Sequence, residues 1–189
     1  MPRRRITFAK GSYYHIYNRG AGRQPIVREE RNYHQIVRLL GTVSAECNVS
    51  VIAYCLLPNH YHWLLRQDGE TAVGDVPRRV FGSYSQAFNK AYRRTGTLFE
   101  GTFKAILVDS EAYLCTLCRY IHRNPVKHGL VAASEEWPFS NYLEWVGQRS
   151  GRLFERQFAR GYFPSAADYA AFVRASLAPD LPLYLGELE

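Results

Sequence analysis

Leu57-Pro58-Asn59-His60-Tyr61-His62-Trp63-Leu64-Leu65 is the stretch whose reading decides the fold. A Pro-Asn pair that feeds an apolar run reads as a turn into a β-strand. Side chains on a strand alternate faces, so His60 and His62 share one face, while Tyr61 takes the other and is expected in the core. Two imidazoles on one face are a bidentate ligand pair if another element brings further groups to them, and ordinary surface or core histidines if none does.

Working outward, Asn48 to Leu57 is apolar on both faces, with Val49, Val51 and Ala53 alternating against Ile52, Tyr54 and Leu56, as in a strand covered on both sides. With the strand His60 to Arg66 it makes a central hairpin. Ser12 to Asn18 is rich in aromatic and β-branched residues and stops at Arg19-Gly20-Ala21-Gly22, a strand and a turn. From Glu29 to Cys47, the helical spacing of Tyr33, Ile36, Val37, Leu40 and Val43 predicts a helix, with Glu29 and Glu30 in the first turn where the macrodipole favours acids. Past the polar stretch Gln67 to Gly74, Val80, Tyr84, Ala87, Phe88 and Ala91 mark a second helix, with Pro77 in its first turn and Gly96 to close it. Thr102 to Asp109 reads as a fourth strand. The order β-α-β-β-α-β predicts an α+β, ferredoxin-like fold: a four-stranded antiparallel sheet with both helices on one face.

The opposite face needs a cover. Ser110 as N-cap, Glu111 in the first turn and the stripe Tyr113, Leu114, Leu117, Cys118 and Ile121 predict a third helix. It is expected to end near Asn124, because Pro125 disfavours helical geometry at the residue before it, and Gly129 then turns the chain out. Trp137-Pro138 marks a boundary. Beyond it lie the aromatic-rich Phe154 to Phe163 and a helical pattern from Ser165 to Leu177. The expected division is a domain over residues 1–145 and a partly helical C-terminal extension over 146–189.

The 189 residues carry a net charge of +7. Nine Lys and Arg stand against two acids between Met1 and Leu40, whereas the chain from Trp137 onward has five basic and six acidic residues. A basic excess outside the tail suggests a polyanion partner, nucleic acid ahead of a membrane surface. The four cysteines do not form a secreted disulfide pattern, and Cys115 and Cys118, although CxxC-spaced, have no second pair for zinc, so all are expected to be buried thiols. No apolar core follows Arg3-Arg4-Arg5, and no run of about 18 apolar residues occurs, so a cytoplasmic location without membrane contact is expected.

Tyr120 and Asn124 are spaced i, i+4 and share a face of the third helix. If that face meets His60 and His62, two imidazoles, an amide oxygen and a phenol converge. Such a donor set suits Mg²⁺ or Mn²⁺ with open positions for phosphate oxygens, and a phenol becomes a nucleophile once deprotonated. If it does not, Tyr120 is one of fourteen tyrosines and Asn124 merely ends a helix.

Leu57-Pro58-Asn59-His60-Tyr61-His62 resembles the HUH motif, and Arg119-Tyr120-Ile121-His122-Arg123-Asn124-Pro125-Val126-Lys127-His128-Gly129-Leu130-Val131 resembles the tyrosine helix of REP-associated tyrosine transposases, a branch of the single-tyrosine, IS200-like HUH transposases. Asn18-Arg19-Gly20, Arg23-Gln24-Pro25-Ile26, Thr95 to Gly101, Phe103-Lys104 and Trp137-Pro138-Phe139-Ser140 fall in the same family's order. The resemblance covers about residues 10 to 145.

It implies a tyrosine helix docked on the histidine strand, Tyr120 as nucleophile, and His60, His62 and Asn124 as ligands of Mg²⁺ or Mn²⁺. It further implies cleavage and joining of single-stranded DNA hairpins through a 5′-phosphotyrosine link. Thr102 departs from the basic residue the family leads one to expect there. Candidate phosphate contacts are Arg3, Arg4, Arg5 and Lys10, the helical cluster Arg78, Arg79, Arg93 and Arg94, and Lys104. A replication initiator or relaxase, which usually adds a third metal-binding histidine, and a catalytically silent hairpin-binding regulator remain alternatives. A plain metal hydrolase is disfavoured because no carboxylate accompanies the two histidines. His15, His122 and His128 are candidates to lie near the site without an assigned role, and monomer or homodimer is undecided.

Overall fold

A computed structural model describes residues 6–175. The chain runs β1 (Tyr13–Arg19), α1 (Glu30–Glu46), β2 (Val49–Leu56), β3 (His60–Gln67), α2 (Asp75–Ala91), β4 (Lys104–Val108) and α3 (Glu111–Lys127), then α4 (Tyr142–Trp145), α5 (Arg156–Tyr162) and α6 (Ala166–Arg174). All neighbouring strands pair antiparallel in the order β2-β3-β1-β4. This is the expected α+β, ferredoxin-like arrangement, with β1 and β3 at its centre.

Strand alternation sorts the sheet into two faces. Tyr14, Ile16, Tyr61, Trp63 and Leu65 pack against Tyr33, Ile36 and Leu40 of α1 and Val80, Phe81, Tyr84 and Phe88 of α2. Tyr61 is fully buried there and stacks on Phe81, with ring centroids 4.3 Å apart. On the other face Ile52, Ala53, Cys55 and Leu64 pack against Leu114, Leu117, Cys118 and Ile121 of α3, joined by Trp145, Phe158, Tyr169 and Val173. The helices after residue 145 thus share a core with the tyrosine helix. Trp137 is half-buried at the seam and packs against both cores. Among the described residues no helix is long and apolar enough to cross a membrane.

Two sequence expectations need correction. Strict alternation puts Ala53 on the side of Val49 and Val51, yet it packs on the α3 side beside Ile52. A register shift between Val51 and Ala53 is the cause, since a β-bulge inserts one residue and reverses the alternation after it. The second concerns α3, which begins as expected with Ser110 Oγ accepting from the Tyr113 amide at 3.3 Å. It does not end near Asn124 but runs through Pro125 to Lys127. Proline removes the N–H that would reach Ile121, but the turn is held downstream: the amides of His128 and Leu130 donate to the carbonyls of Asn124 and Pro125 at 3.0 and 2.9 Å. Gly129, at φ 65°, then releases the chain.

The segment after Trp137 lies along β2. Phe139 accepts from the Leu56 amide at 2.9 Å, and Asn141 Oδ1 accepts from the Tyr54 amide at 2.8 Å, which covers that sheet edge. The helical pattern expected from Ser165 is α6, and its continuation to Leu177 lies outside the described residues. Cys47, Cys55 and Cys118 are buried free thiols as expected, while Cys115 is half-buried because it lies toward the outer side of α3.

Candidate active site

Strand register builds one half of the site. In the β1–β3 ladder Tyr17 pairs with His62 and His15 with Leu64, so His15 is the diagonal neighbour of His62 on the α3 face. Helix α3 supplies the other half. Asn124 Oδ1 lies 3.3 Å from His60 Nε2, and the Tyr120 ring meets the His62 ring edge-on with centroids 5.4 Å apart. The pair of imidazoles, the amide and the phenol singled out from the sequence therefore converge. Lys127, one further turn along α3, sets its ammonium 5.4 Å from the centroid of the Tyr120 ring.

The imidazoles are held from behind. His60 Nδ1 lies 2.7 Å from Asn59 Oδ1, and Asn59 Nδ2 donates to the Arg23 carbonyl at 3.3 Å, which fixes the amide with its oxygen toward the ring. His60 Nδ1 is thus placed to donate to Asn59, while Nε2 faces Asn124 Oδ1. His15 Nε2 lies 3.0 Å from His62 Nδ1. Burial pushes His62 well below the usual imidazole range, with smaller electrostatic contributions in the same direction from its neighbours, and burial alone brings His15 down to about 3. Both rings are neutral at physiological pH. Cys55, paired across the ladder with His62, stays a thiol because burial pushes its pKa well up.

Beside the histidines opens a cavity of about 130 Å³ lined by Tyr17, Asn18, Arg19, His60, Tyr61, His62, Glu100 and Lys104. Lys104 stands over the Tyr17 ring at 5.8 Å, and Glu100 is tied to Arg19. Among the DNA-contact candidates that lie in the described residues, Lys104 is the one brought to this cavity. Arg78 and Arg79 belong to α2, on the far face of the sheet, and are ion-paired with Asp75 and Glu46. Arg93 is exposed and Arg94 half-buried just past the same helix, Arg94 bonding Asn89 at 3.1 Å. Lys10 pairs with Glu70 at 3.0 Å, and Arg3, Arg4 and Arg5 lie outside the described residues.

With this geometry in view, comparison with known proteins finds a match to the family described as "Transposase IS200 like" over residues 9–124. The chain belongs to the IS200-like transposase family. A Haemophilus influenzae protein that carries the name REP-associated tyrosine transposase is 30% identical over 102 residues, 48% of this chain and 57% of that relative. The match thus spans little more than half of the relative's length. A solved structure, of a REP-associated tyrosine transposase bound to a REP hairpin, superposes with a TM-score of 0.67 at 19% identity, over 82% of this chain and 98% of that one. At that identity the likeness speaks for the fold.

A divalent cation fits this donor set, as the IS200-like family leads one to expect. His60 Nε2 and Asn124 Oδ1 lie 3.3 Å apart, near enough to serve one cation as a nitrogen and an oxygen ligand. Among the described residues no group of three His, Cys, Asp or Glu side chains is disposed to hold a metal, and here the third ligand would be an amide oxygen. His15 and His128, two of the histidines expected near the site, do lie there, His15 against His62 and His128 with its ring centroid 4.8 Å from that of His60. Sequence reasoning missed Lys127, hidden by ending the helix at Asn124, and did not foresee that His15 meets His62, which depends on a strand register that no local pattern encodes.

Proposed function

We propose that the protein cuts and rejoins single-stranded DNA through a covalent tyrosine link, acting on hairpin-forming repeat sequences as a REP-associated member of its family. The observation that carries the reading is the docking of α3, which brings Tyr120 against His62 and Asn124 against His60. A phenol, two imidazoles and an amide oxygen are the groups a phosphodiester transfer needs, and the name of the curated relative and the hairpin bound by the solved one point to the same substrate class.

In the proposed reaction Tyr120 Oη loses its proton and attacks the scissile phosphorus. A bond forms between phosphorus and the phenolic oxygen, the bond to the 3′ oxygen breaks, and that oxygen takes up a proton to leave as a 3′-OH. A later 3′-OH attacks the 5′-phosphotyrosine, expels the phenolate and joins the strands, so the phosphodiester energy is conserved. His60, His62 and Asn124 would hold Mg²⁺ or Mn²⁺, which when bound polarises the phosphate and stabilises the leaving oxygen. The Lys127 ammonium beside the Tyr120 ring and Lys104 at the cavity offer positive charge to the phosphate. Residues 1–145 carry this chemistry, and the extension buttresses the tyrosine helix through their shared core.

The test is incubation with a labelled hairpin oligonucleotide, read on a denaturing gel. A covalent protein–DNA band is expected from the native chain and none from Tyr120→Phe, with hairpin affinity held within about tenfold because one hydroxyl is lost. A band of undiminished strength from the Phe variant overturns the assignment.

A further inference from the structure

His15 and His62 face each other inside the sheet, both essentially buried, with Nε2 of one 3.0 Å from Nδ1 of the other. Two neutral imidazoles at that distance share one proton, and the direction of the bond decides what His62 offers the site. If His15 donates, His62 keeps its own proton on Nε2 and is a donor there. If His62 donates from Nδ1, its Nε2 is a bare lone pair. His60 is likewise backed by an acceptor, the Asn59 amide oxygen behind its Nδ1, with Nε2 facing Asn124.

We propose that His15 is a positioning residue: by accepting the Nδ1–H of His62 it holds that ring in the tautomer whose bare Nε2 can ligate a cation. The inference rests on the reading of His60, His62 and Asn124 as cation ligands. Ligating histidines commonly donate their second N–H to a carboxylate or a carbonyl, and here a neutral imidazole fills that position. The choice of acceptor suits a polyanionic substrate, since it orients the ligand without adding negative charge beside the phosphate. It also has a cost. His15 must then carry its proton on Nδ1, which is buried and has no hydrogen-bond partner among the described residues. That cost is offset when the bare nitrogen of His62 has a cation to bind, so the direction of the bond and cation affinity are linked.

The test compares His15→Phe, which keeps a ring but no acceptor, with His15→Gln, whose terminal oxygen falls near the place of the imidazole Nε2. Calorimetric titration with Mn²⁺ is expected to show about ten- to a hundredfold weaker binding for the Phe variant and a change within about threefold for Gln. Urea midpoints of the two variants should agree, which separates orientation from stability. In the native protein saturated with Mg²⁺, long-range ¹H–¹⁵N spectra should place the His62 proton on Nδ1. Native affinity in the Phe variant, equal losses in both variants, or a His62 proton on Nε2 would each overturn the proposal, and the spectrum decides even if neither variant folds. A native chain that takes up neither cation brings down the ligand assignment together with the proposal, whereas the covalent band at Tyr120 is read separately from both.

Discussion

Tyr120, Asn124 and Lys127 occupy one face of α3 at spacings of four and three, and the last of them exists there only because the helix continues through Pro125. On the proposed role of Tyr120 as nucleophile, an ammonium beside its ring should act on the chemical step more than on binding. Lys127→Met is therefore expected to slow formation of the covalent band by about tenfold or more while hairpin affinity changes little, as measured by single-turnover kinetics beside fluorescence anisotropy. An equal loss in both would make Lys127 a plain phosphate contact. The tyrosine and the asparagine were legible in the sequence because helical spacing is local. Lys127 was not, since the rule for residues before proline is a tendency that burial of Pro125 and the downstream hydrogen bonds outweigh. His15 was legible as a strand residue, but its contact with His62 depends on the pairing of segments 47 positions apart.

His122, set between the two site residues of α3, points away from them and fastens the helix to its surroundings. Asn141 Nδ2 donates to the carbonyls of Ile52 and Leu153 at 3.0 and 3.2 Å, so its oxygen faces His122, whose Nε2 donates to it at 2.9 Å. Nδ1 then accepts from the hydroxyl of Tyr169 in α6 at 2.5 Å. All of these side chains are buried, and burial brings His122 down to about 4 even though the bond to Asn141 opposes the shift. The sign of the pH effect follows. Between the ordinary imidazole value of 6.5 and about 4, the unfolded chain binds a proton that the folded one refuses, so stability is full above 6.5 and is lost as pH falls. Each histidine kept neutral in this way withdraws about 1.4 kcal/mol per pH unit in that window. Urea midpoints at pH 7, 6 and 5 should therefore decline, and less steeply in His122→Gln than in the native chain; an equal slope in both would mean that His122 keeps an ordinary imidazole value in the folded state. The helices themselves were readable from period and caps. The bulge after Val51 and the docking face of α6 were not, because one is a single-residue slip and the other a matter of tertiary partners.

At the scale of the molecule, composition announced a polyanion partner without saying where it binds. The structure divides the basic residues by face: Arg78 and Arg79 are occupied by acids on the α2 side, and Lys104 reaches the cavity on the α3 side. Hairpin affinity should fall with salt, with a slope in log–log form of about −0.7 per single-strand phosphate neutralised. Lys104→Ala is expected to reduce that slope by about one contact and Arg79→Ala to leave it unchanged, as read from anisotropy titrations at several salt concentrations. The reverse result would move the DNA to the other face. The layered fold also distributes its chromophores. Of three tryptophans, Trp63 is sealed in the layer beneath α1 and α2, Trp145 in the layer that holds the tyrosine helix, and Trp137 is half-exposed at the seam between them. The protein thus carries one buried intrinsic fluorophore in each layer and a half-exposed one at the seam, so that variants keeping a single tryptophan report on the α1–α2 side, the α3 side or the seam without an attached dye.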